Sequence, residues 1–155
     1  MTPNTLPHAS SDEAFYPLAS VSTDMFEMHD KFDIHDAVEN LTIEQLNKFL
    51  DFRFDFLQEE IDEGRKAIAE KNPEEIVDSL VDLIVVAVGT LDLFGVNFDE
   101  AWYEVLRANM SKEVGINSNR KNELGLPDLI KPKEWQAPSH EGNHGFLPVL
   151  FEDIE

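Results

Sequence analysis

Apolar residues recur at helical spacing from residue 23 to residue 112, and the runs are bounded by residues that commonly begin or end helices. Thr42 with Gln45, and Asn72 with Pro73, are typical helix starts, and Gly95 is typical of the position after a helix end. The pattern predicts four helices, over residues 23–32, 42–71, 73–94 and 97–112. No segment predicts a strand, so the predicted fold class is all-α, a four-helix bundle.

The two ends of the chain differ from this helical part in composition. Residues 1–20 carry three prolines among small polar residues, and residues 116–155 are punctuated by glycine and proline. We therefore predict one helical domain, 21–115, between a flexible N-terminal arm, 1–20, and an extended C-terminal arm, 116–155. Trp135 and Phe146 indicate that the C-terminal arm packs against protein, either this chain or a partner subunit.

Charge excludes one class of partner. The 155 residues include 12 basic and 32 acidic side chains, a formal net charge of −20, and such a surface repels nucleic acid and anionic lipid. There are no cysteines, which excludes disulfides, thiolate catalysis and cysteine-ligated zinc. The N-terminus does not read as a signal peptide, and the longest apolar run, 83–89, is too short to span a bilayer. We expect a cytoplasmic protein, or one of the host-cell cytoplasm if the source is viral, with neither nucleic-acid nor membrane partners.

The predicted helix 73–94 combines an apolar surface with an acidic stripe. Val77, Leu80 and the run 83–88 leave almost no polar face, which predicts a buried helix. Glu75, Asp78 and Asp82 nevertheless fall within about 60° of one another around its axis. Because an unpaired buried carboxylate is costly, these acids need cations nearby.

The preceding helix carries a second acidic group, Glu59, Glu60, Asp62 and Glu63. Glu60 and Glu63 lie three residues apart and therefore share one helix face. The short connection at Asn72 predicts an antiparallel hairpin, which would place this pair opposite Asp78 and Asp82. Oxygen ligands in such a cluster suit Mg²⁺ or Mn²⁺. The candidate ligands are Glu60, Glu63, Glu75, Asp78 and Asp82.

The five histidines show no ligand-like spacing with these carboxylates. We expect each of them to be structural or exposed; they are His8, His29, His35, His140 and His144.

The ordered acids resemble the MazG-like and phosphoribosyl-ATP pyrophosphohydrolase-like superfamily, in particular its small phage-type members. The matching residues are EEIDE at 59–63 and the acids of 75–82, followed by an Asn-x-x-Lys element at Asn109 and Lys112. The segments MFEMHDKF, 25–32, and VAVGTLDLFGVNFDEAWYEVLRANMSKEVG, 86–115, are also similar, so that the resemblance covers about residues 22–134. Ser79 departs from the family, which often has Glu three residues before the residue equivalent to Asp82. Either Asp78 or Glu75 would then take the missing role.

The resemblance implies a MazG-like bundle and a metal-dependent nucleoside triphosphate pyrophosphohydrolase. Such an enzyme hydrolyses the bond between the α and β phosphates and releases a monophosphate and pyrophosphate. Glu59 or Glu60 would act as the base that polarises water. Lys112 and Arg53 would hold phosphate oxygens, and Asn109 would donate to phosphate or sugar.

The resemblance also bears on substrate and assembly. The base would stack on an aromatic ring, with Phe26, Phe32, Phe52 and Trp102 as candidates, and His29 would contact its edge. A purine, guanine first, is the expected base, while dUTP, dCTP and phosphoribosyl-ATP are the alternatives. The family implies a homo-oligomer, commonly a tetramer. A non-enzymatic acidic helical interaction protein is the remaining alternative, consistent with the charge of −20.

Overall fold

A computed structural model describes residues 20–152, and these residues are mostly helical, which confirms the all-α class. The elements in chain order are the helices α1 (Val21–Lys31), α2 (Ile34–Glu39), α3 (Ile43–Glu70), α4 (Pro73–Leu93) and α5 (Phe98–Met110), the strands β1 (Glu113–Gly115) and β2 (Asp128–Ile130), and a short 3₁₀ helix (Leu147–Phe151). The predicted N-terminal arm lies outside the described residues except for Ser20, which caps α1.

The helix starts agree with the predicted capping residues. Thr42 accepts a hydrogen bond from the Gln45 backbone, and the Gln45 side chain accepts one from the Thr42 backbone, so that the capping box precedes α3. Asn72 caps α4 and Asn97 caps α5 through bonds to the third residue of each helix. These bonds satisfy backbone N–H groups that a helix start leaves free.

The prediction of four helices is wrong within residues 20–152, because residues 34–39, for which no helix was predicted, form a fifth helix, α2. Asp33 lies between them with φ of 56°, in the left-handed region. This turn redirects the chain, and Val38 of α2 is buried in the core. Six residues are too few to show a helical period, which is why the pattern did not predict α2.

The hairpin of α3 and α4 is the central packing unit of the chain. Lys71 ends α3 with φ of 55°, and Pro73 begins α4 two residues later. The helices approach closely where Gly64 faces Ser79, since a Cβ atom at Gly64 would lie 2.7 Å from the Ser79 hydroxyl oxygen. The hairpin sets the acids of α3 beside those of α4.

The expectation that α4 is a buried helix is wrong for part of its surface in the single chain. Val86, Val88 and Leu93 in its second half are buried, but Val77 and Leu80 in its first half are 61% and 58% exposed. Val81 and Ile84 extend the same apolar surface. We call this surface, formed by Val77, Leu80, Val81 and Ile84, the α4 apolar face. The sequence showed that these residues are apolar but not which part of the protein covers them.

The segment after residue 115 packs on its own chain. Phe146 and Leu147 pack against the core of Val38, Leu46, Leu93, Phe94 and Leu150, in which Phe94 is 1% exposed. The Phe146 backbone N–H donates to the Phe94 carbonyl at 3.0 Å. Part of the predicted C-terminal arm therefore completes the core beside α3 and α4.

The expectation of no strand is also wrong. Strands β1 and β2 pair antiparallel, with Glu113 opposite Ile130 and Gly115 opposite Asp128. Beyond β2, the Trp135 indole donates to the Ala108 carbonyl at 2.7 Å and ties the segment to the end of α5. In residues 20–152 no helix has both the length and the apolar character needed to cross a membrane.

Candidate active site

Glu60 is the unusual member of the acidic group on α3. Glu60 lines a hollow between α3 and α4, and the residue is 7% exposed. Its Oε2 atom has no hydrogen-bond partner within residues 20–152. A buried carboxylate oxygen without a partner is rare in folded proteins and calls for an explanation such as a bound ion. Glu59 and Glu63, on the same helix, are exposed.

Neighbouring charges explain the electrostatics of Glu60. Burial has the largest effect and raises the pKa of Glu60. The negative charges of Asp82, Glu63, Glu59 and Asp78 raise it further. Each of these effects disfavours the carboxylate form. Acids from both helices therefore act on one buried group, but within residues 20–152 no three of them bring their oxygen atoms within 4.8 Å of one another, so the predicted ligand cluster stays a prediction.

Glu75 stands apart from this group. It is exposed in the first turn of α4, and its charge is not among those that raise the pKa of Glu60. Asp78 does contribute to that shift, and Asp82 is half-buried. These observations favour Asp78 over Glu75 as the companion of Asp82. The assignment of individual ligands stays a prediction.

Ser79 occupies the interface between the helices. It is buried, faces Gly64, and donates to the Ile76 carbonyl at 3.2 Å. Ser79 and Glu60 line the same hollow in the hairpin. The residue that departs from the resemblance is thus next to the buried acid, and its short side chain contributes no negative charge there.

Arg53, predicted to hold phosphate, is bound to α4 in this structure. Its guanidinium donates to the Thr90 hydroxyl and to the Val86 carbonyl, both at 2.9 Å. Burial lowers its pKa. Arg53 therefore fastens α3 to α4, and part of its hydrogen-bonding capacity is already used.

His29 and His35 contact Asp92, a carboxylate outside the predicted acidic group. His29 Nδ1 lies 2.6 Å and His35 Nε2 lies 2.8 Å from the same oxygen of Asp92. Within the described residues this trio is the one group of at least three acids or histidines whose ligand atoms all lie within 4.8 Å of one another. The link between α1 and the end of α4 spans 63 residues, so spacing along the chain gave no signal of it.

Phe26, predicted to stack on a base, is 53% exposed beside this trio. Its ring centroid lies 4.9 Å from that of His35. His29, by contrast, is 2% exposed, and its ring packs against Gly89. Phe26 therefore offers a free aromatic face, whereas His29 offers little surface.

A comparison with protein-family models gives a match. The family model described as phosphoribosyl-ATP pyrophosphohydrolase matches residues 25–109, more than half of the chain. The chain belongs to the phosphoribosyl-ATP pyrophosphohydrolase family. This family is part of the MazG-like all-α superfamily, as the ordered acids indicated. A search of curated proteins gives no significant match.

Membership in the phosphoribosyl-ATP pyrophosphohydrolase family identifies a pyrophosphohydrolase, a class of hydrolase. The matched region begins at Met25 in α1 and includes every acid of the hairpin. It ends at Asn109, so Lys112 lies beyond it.

Asn109 and Lys112 lie together at the end of α5. The Lys112 ammonium donates to the Asn109 side-chain oxygen at 2.8 Å, and it lies 5.9 Å from the centre of the Trp135 ring. Asn109 is exposed and Lys112 half-buried. The two predicted phosphate contacts are therefore adjacent, and the segment after β2 packs beside them.

Proposed function

We propose that the protein is a metal-dependent nucleoside triphosphate pyrophosphohydrolase that converts a (d)NTP and water into a (d)NMP and pyrophosphate. The observation that supports this most directly is Glu60, a buried carboxylate without a partner under the charges of acids from two helices. A non-enzymatic acidic interaction protein would carry its acids on the surface and would have no reason to bury one. The family membership also favours an enzyme over an interaction protein.

The acids of the hairpin are the proposed ligands of a divalent cation. Glu60, Glu63, Asp78 and Asp82 would hold Mg²⁺ or Mn²⁺, because both ions prefer oxygen ligands and a cation would compensate the buried charge. When bound, the ion would neutralise phosphate charge and lower the pKa of water. Glu75 is the alternative ligand to Asp78.

The chain's own residues would divide the remaining work. Glu59 is exposed next to Glu60 on the same helix, and it would accept the proton of the attacking water. Lys112 and Asn109 would hold phosphate oxygens, with Arg53 available through the donors that α4 does not use. The exposed ring of Phe26 would stack on the base. We propose a purine, with guanine first.

Phosphoribosyl-ATP is the second candidate substrate, because the description of the matching family names it. Both substrates carry an ATP-like triphosphate, and both reactions break the bond between α and β phosphates. The acids of the hairpin would therefore serve either one. The difference lies in the part of the pocket that meets the base and the additional ribose phosphate.

A product assay tests the proposal. We expect purified protein with Mg²⁺ or Mn²⁺ to release a monophosphate and pyrophosphate from one or two of the common NTPs, dNTPs, dUTP or phosphoribosyl-ATP, and to lose this activity with EDTA. Chromatography of both products identifies the bond that breaks. Diphosphate and orthophosphate would contradict the assigned reaction, and absence of turnover with every substrate would contradict the enzyme assignment.

We also propose a homo-oligomer, a tetramer of two dimers, in which the α4 apolar face forms the interface within each dimer. Four exposed aliphatic side chains on one helix are unusual for a chain that works alone. A second copy is the partner of matching chemistry, since two such faces would cover each other around a two-fold axis.

Leu80→Ser should shift the protein toward smaller species, because it places a hydroxyl in the centre of this face. Sedimentation velocity over a range of protein concentrations measures the change. Leu124→Ser is the matched control, since Leu124 is 83% exposed and lies outside the α4 apolar face. If both variants sediment like the unmodified chain, the face is not the interface.

A further inference from the structure

His29, His35 and Asp92 come from three separate elements. His29 lies in the last turn of α1, His35 in α2, and Asp92 in the last turn of α4. The left-handed Asp33 makes the turn that brings His35 back beside His29. A non-glycine residue with positive φ is strained, and such strain persists where the surrounding structure requires the turn. The convergence of the three side chains therefore depends on the tertiary fold.

The contact geometry places two imidazole nitrogens around one oxygen. Both nitrogens lie within 2.8 Å of Asp92 Oδ2, and the His29 side chain is 3% exposed. Each ring nitrogen lies at hydrogen-bonding distance from the same carboxyl oxygen, and the tautomer of each imidazole decides which atom carries the proton. If a metal ion took the place of these hydrogen bonds, the nitrogen lone pairs and the carboxylate would face it together.

The local electrostatics favour a cation at this position. Asp92 lies at the C-terminal end of α4, where the helix dipole is negative, and the last turn of α4 contains no basic residue. Within residues 20–152 its ion-pair partners are the two histidines, and neither Lys nor Arg reaches it. The chain as a whole carries −20. A divalent ion would therefore add positive charge beside a carboxylate that neither Lys nor Arg reaches within residues 20–152.

We propose that His29, His35 and Asp92 form a second divalent-metal site, one that binds a borderline transition metal such as Zn²⁺ or Co²⁺. Two imidazoles and one carboxylate suit these ions, whereas Mg²⁺ prefers oxygen alone. Three protein ligands leave a coordination position open for water or a small anion. The site is separate from the acids of the α3–α4 hairpin and does not depend on the proposed reaction.

Cobalt spectroscopy tests the proposal on the full chain, prepared without a histidine tag and stripped with EDTA. Titration with Co²⁺ should give visible absorption typical of low coordination number, which saturates at a single ion per chain. Addition of Zn²⁺ should then remove the band. If the unmodified chain shows no such band, the proposal is wrong whatever the variants do.

His35→Gln separates metal binding from a purely structural hydrogen bond. Glutamine retains an N–H donor at the position of His35 Nε2 but lacks the imidazole lone pair, so the hydrogen bond to Asp92 can persist. We expect the melting temperature without metal to remain near that of the unmodified chain and the affinity for Co²⁺ to fall at least about tenfold.

Two control variants complete the test. His144→Gln removes an exposed histidine, and Glu60→Gln alters the acids of the hairpin; both should keep the Co²⁺ band. Loss of the band in Glu60→Gln would mean that the hairpin acids bind the cobalt, which would overturn the proposal. An unchanged band in folded His35→Gln would overturn it as well. If His35→Gln does not fold, His29→Asn provides the same comparison, because the asparagine amide corresponds to His29 Nδ1.

Discussion

Glu60→Gln is expected to lower turnover at least about a thousandfold, since loss of a charged ligand removes several kcal/mol of transition-state stabilisation. The glutamine has the same size but cannot neutralise a cation. Asp62→Asn is the matched control, because Asp62 belongs to the same acidic string but is exposed and bonded to Gln58. It should change turnover only a few-fold. Equal activity in the two variants would mean that Glu60 is not a ligand.

The same substitution should stabilise the metal-free protein at neutral pH. Burial and four neighbouring acids raise the pKa of Glu60, so the folded state holds its proton more tightly than the unfolded state does. The favourable contribution of the protonated form is complete below the ordinary Glu pKa of about 4.3 and is lost as pH rises through the raised pKa. Glu60→Gln avoids that loss.

Melting curves in EDTA measure this effect across pH. The difference in melting temperature between Glu60→Gln and the unmodified chain should be small near pH 4, grow as pH rises, and then level off. Mg²⁺ should raise the melting temperature of the unmodified chain more than that of Glu60→Gln, because only the former retains all ligands. A difference that shrinks with rising pH would contradict the assigned electrostatics.

Gly145→Ala is expected to be the most damaging single substitution outside the candidate site. Gly145 has φ of 54°, and an added Cβ would meet the Phe94 carbonyl oxygen and lie 2.7 Å from the Gly95 carbonyl carbon. These are backbone atoms, so no side chain can rotate away. The clash would separate Phe146 and Leu147 from the core around Phe94. We expect a loss of about 2–5 kcal/mol in the free energy of unfolding.

Gly125→Ala provides the matched control for backbone strain. Gly125 has φ of 62°, but a Cβ there would meet nothing within 4 Å. The expected loss is about 1 kcal/mol, from the positive φ alone. Urea denaturation curves, monitored by tryptophan fluorescence, compare the free energy of unfolding of the two variants. Similar losses for both would mean that the segment around Gly145 does not support the core.

Several features could be read from the sequence because short-range interactions determine them. The starts of α3, α4 and α5 depend on side chains that bond to a backbone group three residues away, as at Thr42, Asn72 and Asn97. The grouping of Glu60 with Asp78 and Asp82 follows from helical periodicity and one short connection. These relations act over one or a few helical turns, so the order of residues contains them.

Other features depend on partners that are distant along the chain. Helix α2 is too short for a periodic signal, and strand β1 is defined by its pairing with β2. The His29–Asp92 contact depends on how α1 packs against α4. The engagement of Arg53 by Thr90 and Val86 depends in the same way on the fit of α3 to α4.

The sequence by itself determined the helical class, the cap residues of the long helices, the acidic face of the hairpin and the resemblance to a pyrophosphohydrolase superfamily. The tertiary structure decided that Glu60 is the buried acid, that three elements bring His29, His35 and Asp92 together, and that the α4 apolar face is exposed. The physical reason is the distance along the chain between the residues that interact. Caps and helix faces arise from neighbours along the chain, whereas burial and convergence arise from elements that meet only when the chain folds.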